Sequence, residues 1–298
     1  MDRWQAMRVF VKVAEAKGFA EAARQLRMSP PAVTRAIAAL EEAIGARLLL
    51  RTTRSVTLTD AGSQYLEDCV RILADIADAE AAAAGSFTNP SGTLTVTAPV
   101  MFGQQYILPV ILDFLAEHPQ ISVRTLFVDQ VVNLIHEGAD VAIRIGHLPD
   151  SGLKATRVGT VRRVVCGAPS YFEKHGAPAT PADLADHAII AVINNWTSTE
   201  WRFGPDGKTV VQVRPRLFCD SNETAVRAAV AGSGLTRLLS YQVAPALVTG
   251  ELQTVLSAFE EEPLPIHILH PSGGHAPAKV RRFIDFAADR LRANRLIN

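Results

Sequence analysis

The feature that most constrains this chain is a change of rhythm. Up to about residue 84 the apolar side chains recur every three or four positions; from Leu94 onward short alternating runs and longer helical stretches take turns. Between them lies Gly85-Ser86-Phe87-Thr88-Asn89-Pro90-Ser91-Gly92, which fits neither period and is rich in turn formers. A helical module and an α/β module are therefore expected on either side of a hinge. The 298 residues, 48% of them hydrophobic, suffice for a core in each.

Three amphipathic stretches open the chain. Trp4, Met7, Phe10, Val11 and Ala14 line a helix ending near Lys17-Gly18, and Phe19, Ala22, Ala23 and Leu26 line a second, closed by Arg27-Met28. A third starts at Ser29, a good N-cap. Pro30 takes its first position, where the missing N–H has no intrahelical partner, and Val33, Ile37, Leu40 and Ile44 form the buried stripe up to Gly45. Three short helices with a tight turn before the last outline a helix-turn-helix. Pro31, Thr34, Arg35 and Ala38 then face outward. Arg35 can donate two hydrogen bonds to a guanine, Thr34 can serve a phosphate or a base, and Pro31 offers apolar contact; ordinary solvation of this face is the alternative.

Thirty basic and thirty acidic side chains cancel over the whole chain, which by itself argues for neither nucleic acid nor membrane. Locally they do not cancel. Residues 1–60 carry ten basic groups against six acidic ones, whereas residues 61–90 carry Arg71 alone against five acids. Phosphate binding by the first part only would require such a division. Residues 59 to about 84 read as one long helix capped by Thr59, with Asp60 in the first turn. Leu66, Cys69, Leu73, Ile76 and Ala83 make a stripe along it that must pack on its own module or on a partner.

Residues 29–62, SPPAVTRAIAALEEAIGARLLLRTTRSVTLTDAG, resemble the N-terminal module of the LysR-type transcriptional regulators. The match includes the Ala-Val-Thr-Arg start, the Leu-Glu-Glu pair, the helix-ending glycine, the Arg-Thr-Thr-Arg turn and the Leu-Thr-x-Ala-Gly exit; Leu49 in place of a common phenylalanine and the Pro30-Pro31 start depart from it. The resemblance implies a recognition helix and a winged hairpin, with DNA contacts from Ser29, Pro31, Thr34, Arg35, Arg47, Arg51 and Arg54. It also implies that the long helix pairs with a second copy through Leu66, Leu73 and Ile76.

Beyond Gly92 strands and helices alternate. Leu94, Val96 and Ala98 read as a strand, Tyr106 to Leu115 as a helix, Ile121 to Phe127 as a strand, Val132 to His136 as a short helix and Val141 to Ile145 as a strand. This order implies an α/β domain with a parallel sheet. A second such unit begins at Val161–Cys166 and includes a helix over 223–231 and a strand after Gly234; a strand over 266–269 and a helix over 278–291 close the chain. The segments 140–153 (DVAIRIGHLPDSGL) and 222–235 (NETAVRAAVAGSGL) extend the resemblance to the full length.

Catalysis finds no support. Gly232-Ser233-Gly234 follows a helix with Arg237 at the third glycine, no Walker loop or nucleophile elbow occurs, and His267 and His270 point to opposite faces of a strand, His275 adding no cluster. Cys69, Cys166 and Cys219 read as buried thiols of a reducing compartment, and no leader peptide or membrane span is expected. Ligands of open α/β sheets collect at strand ends, and three such corners stand out: Pro99 to Phe102, Arg144-Ile145-Gly146 and Asp220-Ser221-Asn222.

The expectation is thus an α/β protein with an all-α N-terminal part. A winged helix-turn-helix (1–60) and a linker or dimerisation helix with hinge (61–90) precede a two-lobed, periplasmic-binding-protein-like effector domain (91–298). Lobe I covers about 91–162 and 265–298, lobe II about 163–264. The resemblance implies a cytoplasmic, non-enzymatic regulator without cofactor or metal. Its partners would be double-stranded DNA, a second copy or a tetramer, RNA polymerase as a candidate, and a small effector between the lobes. Val100, Met101, Phe102, Gly146, Trp196 and Asn222 would contact that effector, favouring an aromatic or partly apolar one, a reading to which Trp201 adds weight. Arg144 would supply a cation if it points inward and leave a neutral effector open if it does not. The competing class, a solute-binding or catalytic protein with an accessory helical domain, has no need of a basic wing.

Overall fold

The computed structural model describes residues 2–51, 56–83, 90–129, 138–148, 152–192, 199–271, 276–294, 296 and 297. Two compact units share the chain, Met1–Gly92 and Thr93–Asn298. Residues 85–89 of the expected hinge (85–92) and the helix expected at Val132–His136 lie outside the described residues.

In the first unit α1 (Arg3–Ala16), α2 (Phe19–Leu26) and α3 (Pro30–Ile44) enclose Val9, Phe10, Ala22, Val33, Ile37 and Leu40, none more than 2% exposed. Each such large apolar side chain contributes about 1.5–3 kcal/mol by leaving water. Ser29 begins α3 with its backbone: the Ala32 and Val33 N–H groups donate to its carbonyl at 2.9 and 3.2 Å. The side-chain cap that the sequence suggests is not made. Pro31 removes one of the two N–H groups such a cap needs, and the Ser29 carbonyl takes the other.

β1 (Leu49–Arg51) and β2 (Val56–Leu58) pair antiparallel as the wing. α4 (Asp60–Ala83) follows. Thr59 Oγ1 accepts the Gly62 N–H at 2.9 Å and donates to the Arg47 carbonyl at 2.7 Å, tying the start of α4 to the wing. Cys69 is fully buried in the core of this unit, and Leu66 and Leu73 pack against that core. For these three residues the stripe on α4 finds its apolar cover within its own module.

The second unit runs from β3 (Gly92–Ala98) into a helix that starts as α5 (Val100–Phe102), passes a π-type turn at Gly103–Ile107 and continues as α6 (Leu108–Glu117). β4 (Ile121–Phe127), β5 (Val141–Ile145) and β6 (Leu153–Val161) follow. The chain then crosses to β7 (Arg163–Gly167), α7 (Pro169–His175), β8 (Ile189–Val192), the hairpin of β9 (Glu200–Phe203) and β10 (Thr209–Gln212), and β11 (Pro215–Cys219). Next come α8 (Asn222–Val230), β12 (Leu235–Leu239), α9 (Ser240–Val248) and β13 (Gln253–Val255), before the chain returns in β14 (Leu264–Pro271) and α10 (Ala278–Arg292).

Lobe I holds a sheet in the order β4-β3-β5-β14-β6, and lobe II one in the order β11-β8-β12-β7-β13. Both sheets are mixed, which corrects the parallel sheet expected from the element order. β3 runs parallel to β5, and β8 to β11 and β12. β14 runs antiparallel to β5 and β6, as β7 does to β12 and β13. The cause is the pair of crossings, at Arg162 and just before Leu264, which bring strands in from the opposite end. β3 also departs from its expected half-buried alternation: Thr95 and Thr97 are 9% and 0% exposed, because this inner strand is covered on both faces.

Candidate functional site

On α3 Pro31, Arg35 and Ala38 are exposed and Thr34 is half-buried; Ser29 and Arg47 are exposed at either end of the same region. Arg54 and the side chain of Arg51 lie outside the described residues. The helix start leaves no backbone donor for a phosphate, since Pro30 and Pro31 have no N–H and Ala32 and Val33 donate to Ser29. Anions at this end must be met by side chains.

Two residues of the motif to which the sequence assigns no role, Glu41 and Gly62, set the wing. Glu41 Oε1 accepts the Leu48 and Leu49 N–H groups at 2.8 and 3.1 Å, so α3 holds the first wing strand directly. At Gly62 a Cβ would come within 1.9 Å of the Leu48 carbonyl oxygen; only glycine lets α4 pass there.

A cavity of about 790 Å³ opens between the two sheets of the second unit. Pro99, Gly146 and Asn222, one from each expected corner, all line it. Gly146 takes φ 121° at the end of β5 and donates its N–H to the Pro265 carbonyl at 2.9 Å, turning the chain at the rim. Asn222 opens α8, whose first turn Ser221 caps by accepting the Thr224 N–H at 3.2 Å. Asp129, past the end of β4, accepts the Val100 N–H at 3.0 Å.

Lobe II adds Arg163, Arg237, Leu238, Leu239 and, at the start of α9, Tyr241 and Gln242. Gln242 is 6% exposed, accepts the Leu239 N–H at 2.9 Å and donates to the Tyr241 hydroxyl at 3.3 Å. Burial, and then the Asp129 carboxylate, push the Tyr241 hydroxyl well above its ordinary pKa. Arg237 is lowered by burial and partly restored by Glu261, with which it pairs. The corner from β12 into α9 obeys the same strand-end logic as the three expected ones; Pro245 inside the helix obscured its start in the sequence.

Other expected contacts fall elsewhere. Phe102 is fully buried, stacked on Tyr106 at 5.0 Å and edge-on to Tyr241 at 5.2 Å, where it joins the lobe I core. Met101 packs on that core and lines a smaller cavity of about 450 Å³ with Gln104, Gln105, Val226 and Pro245. The Val100 N–H is engaged by Asp129. Among the described residues Arg144 does not line the main cavity: its Nη1 donates to the Ile143 carbonyl at 2.9 Å and burial lowers its pKa. Trp196 lies outside the described residues, and Trp201 is a core residue of lobe II. Among the described residues no cluster of three metal-ligating side chains occurs.

A winged helix-turn-helix joined to a two-lobed α/β domain with a ligand-sized cleft is the architecture of a DNA-binding regulator that carries its own effector domain. The family model described as "Bacterial regulatory helix-turn-helix protein, lysR family" matches residues 4–63, and that of the "LysR substrate binding domain" matches 88–292. The chain belongs to the LysR family of DNA-binding transcriptional regulators.

The HTH-type transcriptional activator AaeR of Escherichia coli is 32% identical, over 97% of this chain and 94% of its own. An HTH-type transcriptional repressor of Pseudomonas aeruginosa is 31% identical, over 99% and 94%. The structure of CrgA, a LysR-type regulator from Neisseria meningitidis, aligns over 97% of this chain and 99% of its own, with a TM-score of 0.63 and 30% identity. Relatives named as transcriptional regulators point away from enzyme activity.

Proposed function

We propose that the outward face of α3 (Ser29, Pro31, Thr34, Arg35), with Arg47 and the wing arginines Arg51 and Arg54, reads operator DNA, and that a small effector sits in the cleft between the lobes. The observation that carries the second half is the convergence of Pro99, Gly146 and Asn222 on one cavity. A ligand filling it touches both lobes, binds one of their arrangements more tightly than another and so shifts their populations. The regulator needs no catalytic chemistry. It works in the cytoplasm, where its unpaired buried thiols stay reduced, and acts through RNA polymerase at the promoter.

Copies associate as a dimer or tetramer. Because Leu66 and Leu73 cover their own core, pairing along α4 falls to Ile76 and to Val70, whose side chain is 44% exposed. A symmetric pair calls for an interrupted palindrome.

Selecting duplexes retained by the full-length protein tests the first half: a two-fold symmetric consensus is expected, and sequence-independent retention refutes it. For the second, Asn222→Ala should bind the selected operator as tightly as wild type without effector. It should respond less to any small-molecule fraction that alters wild-type binding. An undiminished response removes the cleft from the mechanism.

A further inference from the structure

Among the described residues the cleft wall carries an unpaired carboxylate on lobe I and a cluster of guanidiniums on lobe II. On lobe I the first N–H of the helix after β3 is where an anionic ligand would ordinarily dock. Here it is taken by the protein's own Asp129, at 3.0 Å. Asp129 is exposed in the cavity wall, and among the described residues no cation pairs with it. On lobe II Arg163 and Arg237 share one carboxylate, Glu261: Arg237 closely, Arg163 at 3.4 Å. Counted alone, that trio has two guanidiniums to one carboxylate, and Arg163, in the longer pair and more exposed, is the one available to a ligand.

Of the remaining charged wall residues only Glu262 adds a carboxylate without a paired cation among the described residues, at the lobe II end. Asp206 pairs with Lys208 at 2.8 Å and Arg202 with Glu200 at 3.6 Å, while Glu262 and His147 complete the wall. Four carboxylates thus face three guanidiniums, and a plain anion gains nothing from the cavity as a whole. The wall also carries the apolar side chains of Ile145, Leu238, Leu239 and Leu264.

We propose that the effector is a zwitterion, a compound with an ammonium group and a carboxylate on a partly apolar body. The ammonium group donates to Asp129 on lobe I, the carboxylate accepts from Arg163 on lobe II, and the body lies over the apolar side chains of the wall. Both contacts are charge-assisted hydrogen bonds, the stronger kind. Because each charge is held by a different lobe, only the intact zwitterion spans the cleft, and removing either of its charges releases one lobe. The assignment rests on the cleft being the effector site.

The full-length protein is titrated calorimetrically, at millimolar concentration, with the common L-amino acids. Each one that binds is compared with its desamino acid and with its decarboxylated amine. At least one amino acid should bind, with both counterparts weaker by about tenfold or more, the loss expected for one charged contact. Asp129→Asn, which keeps an acceptor for Val100, should weaken the amino acid by a similar factor and leave the desamino acid unchanged. Arg163→Gln should do the reverse, sparing the amine. A desamino acid that binds as well as its amino acid, or no binding by any amino acid, overturns the proposal. Asn222→Ala separates the two levels: a desamino acid that binds wild type and is weakened in this variant removes only the zwitterion, whereas an amino acid bound equally by both proteins sits outside the cleft and overturns the reading beneath it.

Discussion

Replacing Gly62 by alanine should unseat the wing. The new methyl carbon would lie 1.9 Å from the Leu48 oxygen, where a carbon–oxygen contact needs about 3.3 Å, so α4 must retreat by roughly 1.4 Å. That movement breaks the Thr59 N–H bond to Leu48 (3.0 Å) and the Thr59 hydroxyl bond to Arg47 (2.7 Å). At about 1 kcal/mol each they sum to about 2 kcal/mol, and crowding of the packed interface adds about 1–3 kcal/mol. Alanine returns about 1 kcal/mol through its better helix propensity. The net loss is about 2–4 kcal/mol, a large part of the stability of a small domain. Amide hydrogen exchange across residues 3–50 reads it directly. Ala61→Gly, at the exposed neighbouring position, is the control and should cost about 1 kcal/mol or less. If Gly62→Ala is as stable as wild type, the close approach of α4 to the wing does not govern this module.

Arg35→Ala should cost about 1–3 kcal/mol on the specific operator and relax preference at one base pair, whereas Arg47→Ala should weaken all duplexes alike and lower the log–log salt slope by about one; titrations on matched and scrambled operators at several salt concentrations separate them. Val70→Asp should lower self-association in sedimentation while leaving the circular dichroism unchanged, and Leu73→Asp should unfold the first unit; the opposite pattern would restore Leu73 to the dimer interface. The imidazole of His187 is held below its ordinary pKa, first by burial and then by His175, beside the Tyr171 hydroxyl at 3.1 Å. The unfolded chain therefore binds more protons than the folded one, and the second unit should lose stability as pH falls through about 6.5. His187→Gln should flatten part of that slope in denaturant midpoints, and a midpoint independent of pH would refute the assignment.

The helical module was legible because its signals are local. One amphipathic period places Phe10, Val33 and Ile37 inside, and what remains on α3 puts Arg35 outside. The cleft was legible only as three corners. The corner from Pro99 to Phe102 reads as one block in the sequence, yet the helix begins inside it, at Val100. Pro99, the extended residue before the helix, stays at the strand end and lines the cavity, while Phe102, inside the helix, turns into the core. Arg144 follows Ile143 on a strand of period two, which sends it to the face opposite the main lobe I core, beside Ala142 and its small apolar cluster. Arg163 was missed for a topological reason. Because β7 runs antiparallel to β12, its first residue sits opposite Leu239, at the edge where parallel strands end. Nothing in the order of residues along the chain announces that pairing.

The position of β14 has a consequence for how the protein is made. This strand is the fourth of five in the lobe I sheet, wedged between β5 and β6, and it lies more than a hundred residues downstream of both. During synthesis the DNA-binding module and then all of lobe II emerge from the ribosome while β5 and β6 still present open edges to solvent and to other nascent chains. Pairing across so long a separation is slow, and unpaired edges are where chains stick to one another. Lobe I is thus the last part to close. A message truncated before Leu264 would yield a chain with an intact DNA-binding module and an aggregation-prone remainder.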